Sequence, residues 1–204
     1  MDDPRGGSGT GYLIDMNYGV QKEFSNVAAS SRCLFDPQLG KAIAIKCYIG
    51  YNGRDSLKKG HVQICRGYRA LVPYKWISQS DRRADAGFFS VVPGFKGKIP
   101  PLAYMDAPLG GRHPFLTVGY RGDRSHAGEL GAQMYMHLDG VDSAELEREP
   151  HMFRYSMRGQ AGSPLVKDLP DTRVAGTHCG QDGRGGYANV VAGKYGQNYI
   201  QGFV

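Results

Sequence analysis

The chain has 204 residues, of which 41% are hydrophobic and 11% aromatic, enough to build a core and too apolar for a disordered segment. Its formal net charge of +6 permits attraction to acidic partners, but no run of five like charges occurs. No segment approaches the ~18 consecutive apolar residues that span a bilayer, and no zinc-finger, RNP or helix-turn-helix pattern points to nucleic acid.

Thirty glycines and eleven prolines punctuate short apolar runs throughout. In chain order, strands are predicted at Gly11–Ile14, Ala42–Ile49, His61–Cys65, Gly87–Val92, Phe115–Gly119, Ala132–His137, Met152–Met157, Arg173–Thr177 and Tyr187–Val191, all rich in β-branched or aromatic residues. Turn chemistry separates them at Asn52-Gly53, Pro93-Gly94, Leu109-Gly110-Gly111 and Gly183–Gly186. Helical periodicity is scarce, with a short candidate at Ser143–Glu149 and a marginal final turn near Gln197–Gly202. This is the pattern of an all-β barrel or sandwich, and closing a barrel abolishes exposed sheet edges. The longest connecting region, about Asp81 to Pro114, holds Pro93, Pro100, Pro101 and Pro108. Two barrels would divide near Pro100–Arg112, giving units of about residues 1–105 and 106–204.

Cys33, Cys47, Cys65 and Cys179 allow two disulfides in three connectivities, with free buried thiols as the alternative. Their spacing matches no metal motif, and no cofactor is expected. Met1 leads into Asp2, Asp3 and Pro4 with no apolar signal core. Either a leader has been removed, or the chain begins here and stays in the cytoplasm.

Four segments in one order carry a resemblance. Gly9-Thr10-Gly11-Tyr12-Leu13-Ile14 resembles a G-[ST]-G-[FW]-[LM]-I opening strand, and Ala28–Asp36 resembles T-A-[AG]-H-C-[VI]-Y-D. Arg83–Phe88 resembles [YN]-D-x-[AG]-[FI], and Gly159–Leu165 resembles G-Q-S-G-S-P-[VL]. Supporting segments are Tyr48–Gly53, Gly119–Arg124 (similar to G-Y-P-G-D-K) and Gly176-Thr177-His178. Together they span Gly9 to about Val191 and resemble the chymotrypsin-like (trypsin-like) serine proteases, in the glutamyl-endopeptidase, V8-like branch of fungi and bacteria. The resemblance implies two six-stranded antiparallel Greek-key barrels with a site in the cleft between them. It also implies secretion.

Aligned on these motifs, the catalytic histidine is replaced by Arg32 and the catalytic serine by Ala161, while Asp85 keeps the aspartate position. A guanidinium stays protonated and has no acceptor lone pair, so it cannot take a proton from a nucleophile. A methyl group cannot attack a carbonyl. Ser163 matches a position without catalytic duty, and rescue would need His61, His113, His126, His137 or His151 within ~3 Å of a nucleophile. Asp85 is expected to pair with the Arg32 guanidinium, or else Arg32 is simply solvated. The amides of Gly159 and Ala161 would remain as an oxyanion-hole-like donor pair.

His178 falls where glutamyl-specific relatives bind an acidic side chain; Ser156 takes the pocket-wall position in a gap-free alignment, or the wall is about three residues short when Tyr155-Ser156-Met157 aligns on Y-x-M, with Arg158 beside the pocket either way. An acidic group would meet Arg158 and His178, or Arg158 fills the pocket and His178 is an ordinary strand histidine. Relatives carry roughly one more strand before the Gly9 segment, so the first barrel is expected to lack it. Their cysteine partner for Cys33 is missing too, since Gly9 stands there. Arg121-Gly122-Asp123 spells the integrin-binding tripeptide, though the family turn already explains Gly122-Asp123.

The expected function is therefore that of a pseudoprotease: a protein, peptide or glycan ligand bound through cleft and loops, with no peptidase activity. Three readings compete: an inactivated form of an endopeptidase that cleaves after Glu or Asp, a lectin-like carbohydrate binder, and a polyanion binder.

Overall fold

A computed structural model describes residues 8–14, 25–97, 100–105, 112–142, 152–155, 161–167, 173–182 and 185–190. Sixteen strands occur among these. They are β1 (Gly11–Leu13), β2 (Ser25–Ala29), β3 (Phe35–Asp36), β4 (Gly40–Lys41), β5 (Lys46–Ile49), β6 (Gln63–Leu71), β7 (Gly87–Val92) and β8 (Ala103–Tyr104). The remainder are β9 (Arg112–Tyr120), β10 (Ser125–His126), β11 (Glu129–Leu130), β12 (Met134–Asp142), β13 (Met152–Tyr155), β14 (Pro164–Lys167), β15 (Arg173–Asp182) and β16 (Gly185–Val190). Three short helices, α1 (Ser31–Leu34), α2 (Arg54–Lys58) and α3 (Tyr74–Gln79), sit in the connections.

The strands sort into two principal sheets. The first is five-stranded, in the order β1-β2-β7-β6-β5, and curls into a half-barrel. The second is seven-stranded, in the order β12-β9-β14-β15-β16-β13, with β8 pairing parallel to β15. All other pairings are antiparallel apart from an isolated parallel bridge between Ile14 and Leu102. The all-β expectation holds; residues 1–7 and 15–24, where a further strand of the first barrel would fall, lie outside the described residues. Ser143–Glu149 and Gln197–Gly202 lie outside the described residues.

Period-2 alternation explains how the sheets meet. Along β2 and β7, Val27, Ala29, Phe89 and Val91 face one way, into a cluster with Leu34 and Cys65 inside the first sheet. Ala28 and Phe88 face the other way and join Tyr12, Ile14, Ala86 and Val174. Val174 belongs to β15, so this second cluster is the seam between the sheets. A strand buried on both faces needs apolar residues at successive positions, which is why Gly87–Val92 reads as an almost unbroken apolar run.

Phe88 is the largest fully buried side chain in this seam. Phe88→Ala is expected to lower the unfolding free energy by roughly 3–5 kcal/mol, through lost burial and the cavity left behind. Urea titration of both proteins checks this, and a loss below about 1 kcal/mol would show that the seam does not hold the sheets together.

Candidate functional site

The segment that opens the first sheet also touches the second. The Thr10 N–H donates to the Ala161 carbonyl at 2.9 Å, and the Thr10 hydroxyl accepts from the Tyr120 N–H at 2.8 Å. Tyr12 and Thr177 share a buried hydroxyl–hydroxyl hydrogen bond of 2.7 Å. Approach this close requires glycine. Gly162 has φ +89°, and a Cβ there would lie 1.8 Å from the Thr10 carbonyl oxygen and 3.3 Å from the Ser30 amide. The turn holding Ala161 and Gly162 is thereby pressed against the segment that leads into α1.

That helix is a single turn following β2. Its preceding residue, Ser30, and its first residue, Ser31, are fully buried, whereas Arg32 points outward. Asp85, 1% exposed, lies beneath the turn. Its Oδ1 accepts the Ser30 hydroxyl at 2.7 Å and the Arg32 main-chain N–H at 3.0 Å. The Ser31 hydroxyl donates to the Ala84 carbonyl at 3.1 Å. Strand β2, the α1 turn and the approach to β7 are thus tied together by buried side-chain hydrogen bonds.

This arrangement corrects the expected Arg32–Asp85 ion pair. Asp85 meets the main chain of Arg32 rather than its guanidinium, whose Nε lies 3.7 Å from Asp36 Oδ2 on a side chain 70% exposed. The physical reason is direction: Ser30 and Ser31 take the buried side of the turn, Arg32 faces out, and its guanidinium stays in water near Asp36 of β3. Arg32 is the solvated arginine of the two alternatives, with a weak surface pair added.

Burial dominates the electrostatics beneath the turn. It pushes the Asp85 carboxyl up to about 7, against the opposing pull of the Ser30 hydroxyl and the Arg32 amide. Cys179 donates from Sγ to the Asp85 carbonyl at 2.8 Å. A Cβ built on Gly9 would come within 2.7 Å of Cys33 Sγ and 3.3 Å of the Ala161 carbonyl, so Gly9 does stand where a partner for Cys33 would sit. All four cysteines are free.

His178 has no exposed surface, and burial lowers its imidazole to about 4. A neutral, enclosed ring is what the strand-histidine alternative expects. The His178 main chain holds the site: its carbonyl accepts from Gly162 N–H at 2.6 Å, and its N–H donates to Ser163 at 2.8 Å. Ser156, Arg158 and Gly159 lie outside the described residues, and with them the proposed pocket wall and half of the oxyanion-hole-like pair. The tripeptide at residues 121–123 is closed on itself. Arg121 binds both carboxylate oxygens of Asp123, at 2.9 and 2.5 Å, which leaves neither side chain extended toward a receptor.

Among the described residues no group of His, Cys, Asp and Glu is suited to hold a metal, and no helix is long and apolar enough to cross a membrane.

The Asp85 shift has a signed consequence. An unfolded chain ionises this carboxyl near its ordinary value of 3.8, whereas the folded one keeps its proton up to about 7. Its contribution to stability is therefore present in acid and is lost as pH rises from about 4 to about 7. Asp85→Asn keeps the acceptor oxygen for Ser30 and Arg32 and removes the titration. Relative to the unaltered chain, the variant is expected to gain stability from pH 5 to pH 8 by an amount on the order of 1–4 kcal/mol. Denaturant melts at both pH values check it, and a pH-independent difference would contradict it.

No family model matches the chain, and neither does any curated protein. Solved structures do. A Glu endopeptidase in complex with MPD superposes with a TM-score of 0.75 at 14% identity, covering 97% of this chain and 85% of its own. A thermostable serine protease, AL20, from an extremophilic microorganism gives 0.63 at 14% identity, over 95% and 94% of the two chains. The protease Anisep from Arthrobacter nicotinovorans gives 0.65 at 12% identity, over 95% and 93%. At such low identity the likeness establishes architecture: this chain has the trypsin-like, two-sheet fold of the serine proteases.

Proposed function

We propose that this chain is a non-catalytic protein on a trypsin-like scaffold, binding a protein, peptide or glycan through its cleft and loops. The observation that carries the reading is the chemistry available around Asp85. The turn above it carries an exposed guanidinium, and the adjacent turn carries a methyl group at residue 161. A general base must release its proton near neutrality and hold a lone pair toward the nucleophile, and arginine does neither. A nucleophile needs an electron pair to donate, which alanine lacks. Losing one member of such a triad removes several powers of ten in rate, and losing two leaves no acyl-enzyme route.

The frame around these residues supports retention of the scaffold for binding. Asp85, Ser30, Gly162 and the Thr10 bridge hold the two turns against each other without help from an imidazole or a reactive serine. The structural neighbours are proteases by name, one of them a Glu endopeptidase. An endopeptidase of that kind is the competing reading, and it requires a base and a nucleophile from elsewhere in the chain. His61 and His126 are exposed, and His137 lies 3.8 Å from Asp139, a carboxylate remote in sequence from Asp85.

The purified chain is expected to leave a glutamyl peptide substrate intact and to resist labelling by a serine-directed covalent probe. On peptide and glycan arrays it is expected to retain a defined ligand, and Arg32→Ala is expected to weaken an anionic ligand by roughly tenfold or more, as befits a lost charged hydrogen bond. Turnover or labelling by the unaltered chain would contradict the reading. Retention that is blind to ligand structure and collapses with salt would also overturn it, in favour of polyanion binding.

A further inference from the structure

Two of the four cysteines face each other across a strand pair. Strands β5 and β6 are antiparallel, with Lys46 opposite Arg66, Cys47 opposite Cys65, Tyr48 opposite Ile64 and Ile49 opposite Gln63. Lys46, Tyr48, Ile64 and Arg66 are exposed, while Cys47 and Cys65 turn inward, into the cluster built on Val27, Ala29, Leu34, Phe89 and Val91. The two thiols therefore share one face as well as one register position. Two residues along the ladder, the Gly67 N–H donates to the Ile45 carbonyl at 2.9 Å, which places Cys47 and Cys65 in a hydrogen-bonded pair. Such pairs have Cα atoms about 5.5 Å apart, inside the ~4.4–6.8 Å that a disulfide spans.

The segment between them is also distinctive. Residues 50–62 leave β5, form α2 and return to β6, and this excursion docks on the end of β9 in the second sheet and on the β10-β11 hairpin that follows it. Tyr51 hydrogen-bonds Glu129, the Arg54 N–H donates to Glu129 Oε2 at 3.0 Å, and the Tyr120 hydroxyl donates to the Tyr51 carbonyl at 2.7 Å. A covalent link at residues 47 and 65 closes the root of a strap that joins the two halves of the molecule.

We propose that Cys47 and Cys65 form a reversible thiol–disulfide couple, oxidised by a small-molecule disulfide such as oxidised glutathione, which staples this inter-sheet strap at its base. The half-buried Cys47 is the accessible thiol, and Cys65 is enclosed. Cys47 attacks one sulfur of the oxidant as a thiolate, forming a mixed disulfide and expelling one glutathione thiolate. Cys65 then attacks the Cys47 sulfur and expels the second glutathione thiolate. The two cysteines are oxidised, one glutathione disulfide is reduced to two thiols, and the protons lost by the cysteines pass through solvent to the departing glutathiones. Burial, with the facing thiol of Cys65, pushes Cys47 up to about 12, so the protonated thiol is its resting form. Cys179 is held on the Asp85 carbonyl and Cys33 lies beside Gly9, away from this ladder.

The test uses the whole reduced chain, equilibrated in glutathione buffers of increasing oxidation, alkylated, and digested with trypsin without reduction. The couple predicts one cross-linked species joining peptide 47–54 to peptide 60–66, appearing as the buffer becomes oxidising and disappearing on return to reduced glutathione. Amide hydrogen exchange across residues 50–62 is expected to slow in the oxidised form. Cys65→Ser is expected to stop Cys47 at a mixed glutathione disulfide, and the map of the unaltered chain stands alone should that variant fail to fold. Recovery of both peptides alkylated, both carrying glutathione, or joined to peptides containing Cys33 or Cys179 would overturn the pairing. Unchanged exchange in the linked form would overturn its role at the strap.

Discussion

Thr10 bonds to two parts of the second sheet's half of the molecule from within the segment that opens the first. Its N–H reaches the Ala161 carbonyl and its hydroxyl takes the Tyr120 amide. Backbone contact of this kind leaves no room for side chains, and the surrounding positions answer with glycine: Gly162 against the Thr10 carbonyl, Gly119 against Ser163 and Thr10. The seam of Tyr12, Ile14, Ala28, Phe88 and Val174 extends the same contact as apolar burial. Because the join is made at Thr10, residue 161 is fixed close to the Ser30–Cys33 turn whatever side chain either position bears.

The turn itself stands on Asp85. In the expected picture that carboxyl needed a charged partner, and the guanidinium of Arg32 was the natural candidate. The structure gives it a hydroxyl and a main-chain amide instead. Both partners are independent of the side chain at residue 32. An arginine is tolerated there because it turns outward to Asp36 and water and asks nothing of the buried carboxyl. The same independence lets the turn keep its shape with an arginine at residue 32.

How much of this was legible in the amino-acid sequence varied with the kind of signal. Gly87–Val92 was read to the residue, because a turn on each side bounds a run of aromatic and β-branched side chains. Strand β2 was missed. Ser25-Asn26-Val27-Ala28-Ala29 has weak strand propensity, and pairing with β1 and β7 makes it a strand. Strand β14 was missed for a similar reason, its opening proline arguing against a central strand that tertiary pairing nevertheless builds. Helix α3 spans fewer than two full turns and cannot show periodicity. The motif order placed Asp85, Arg32 and Ala161 in one neighbourhood, which the contacts through Gly9, Thr10 and Ser30 support. It could not foresee where the Arg32 side chain would point, nor that His178 would be enclosed, because both depend on packing from distant segments. The facing of Cys47 and Cys65 was likewise hidden, since register is a property of paired strands and the composition left three connectivities open.

The central claim is a chemical deficit at residues 32 and 161 inside an otherwise intact frame. It is tested most directly by introducing Arg32→His and Ala161→Ser together and measuring hydrolysis of glutamyl peptides alongside covalent labelling of residue 161. The account predicts that the doubly altered chain hydrolyses and labels while each single substitution stays silent. A double variant that melts like the unaltered chain yet neither hydrolyses nor labels would show that the deficit lies elsewhere.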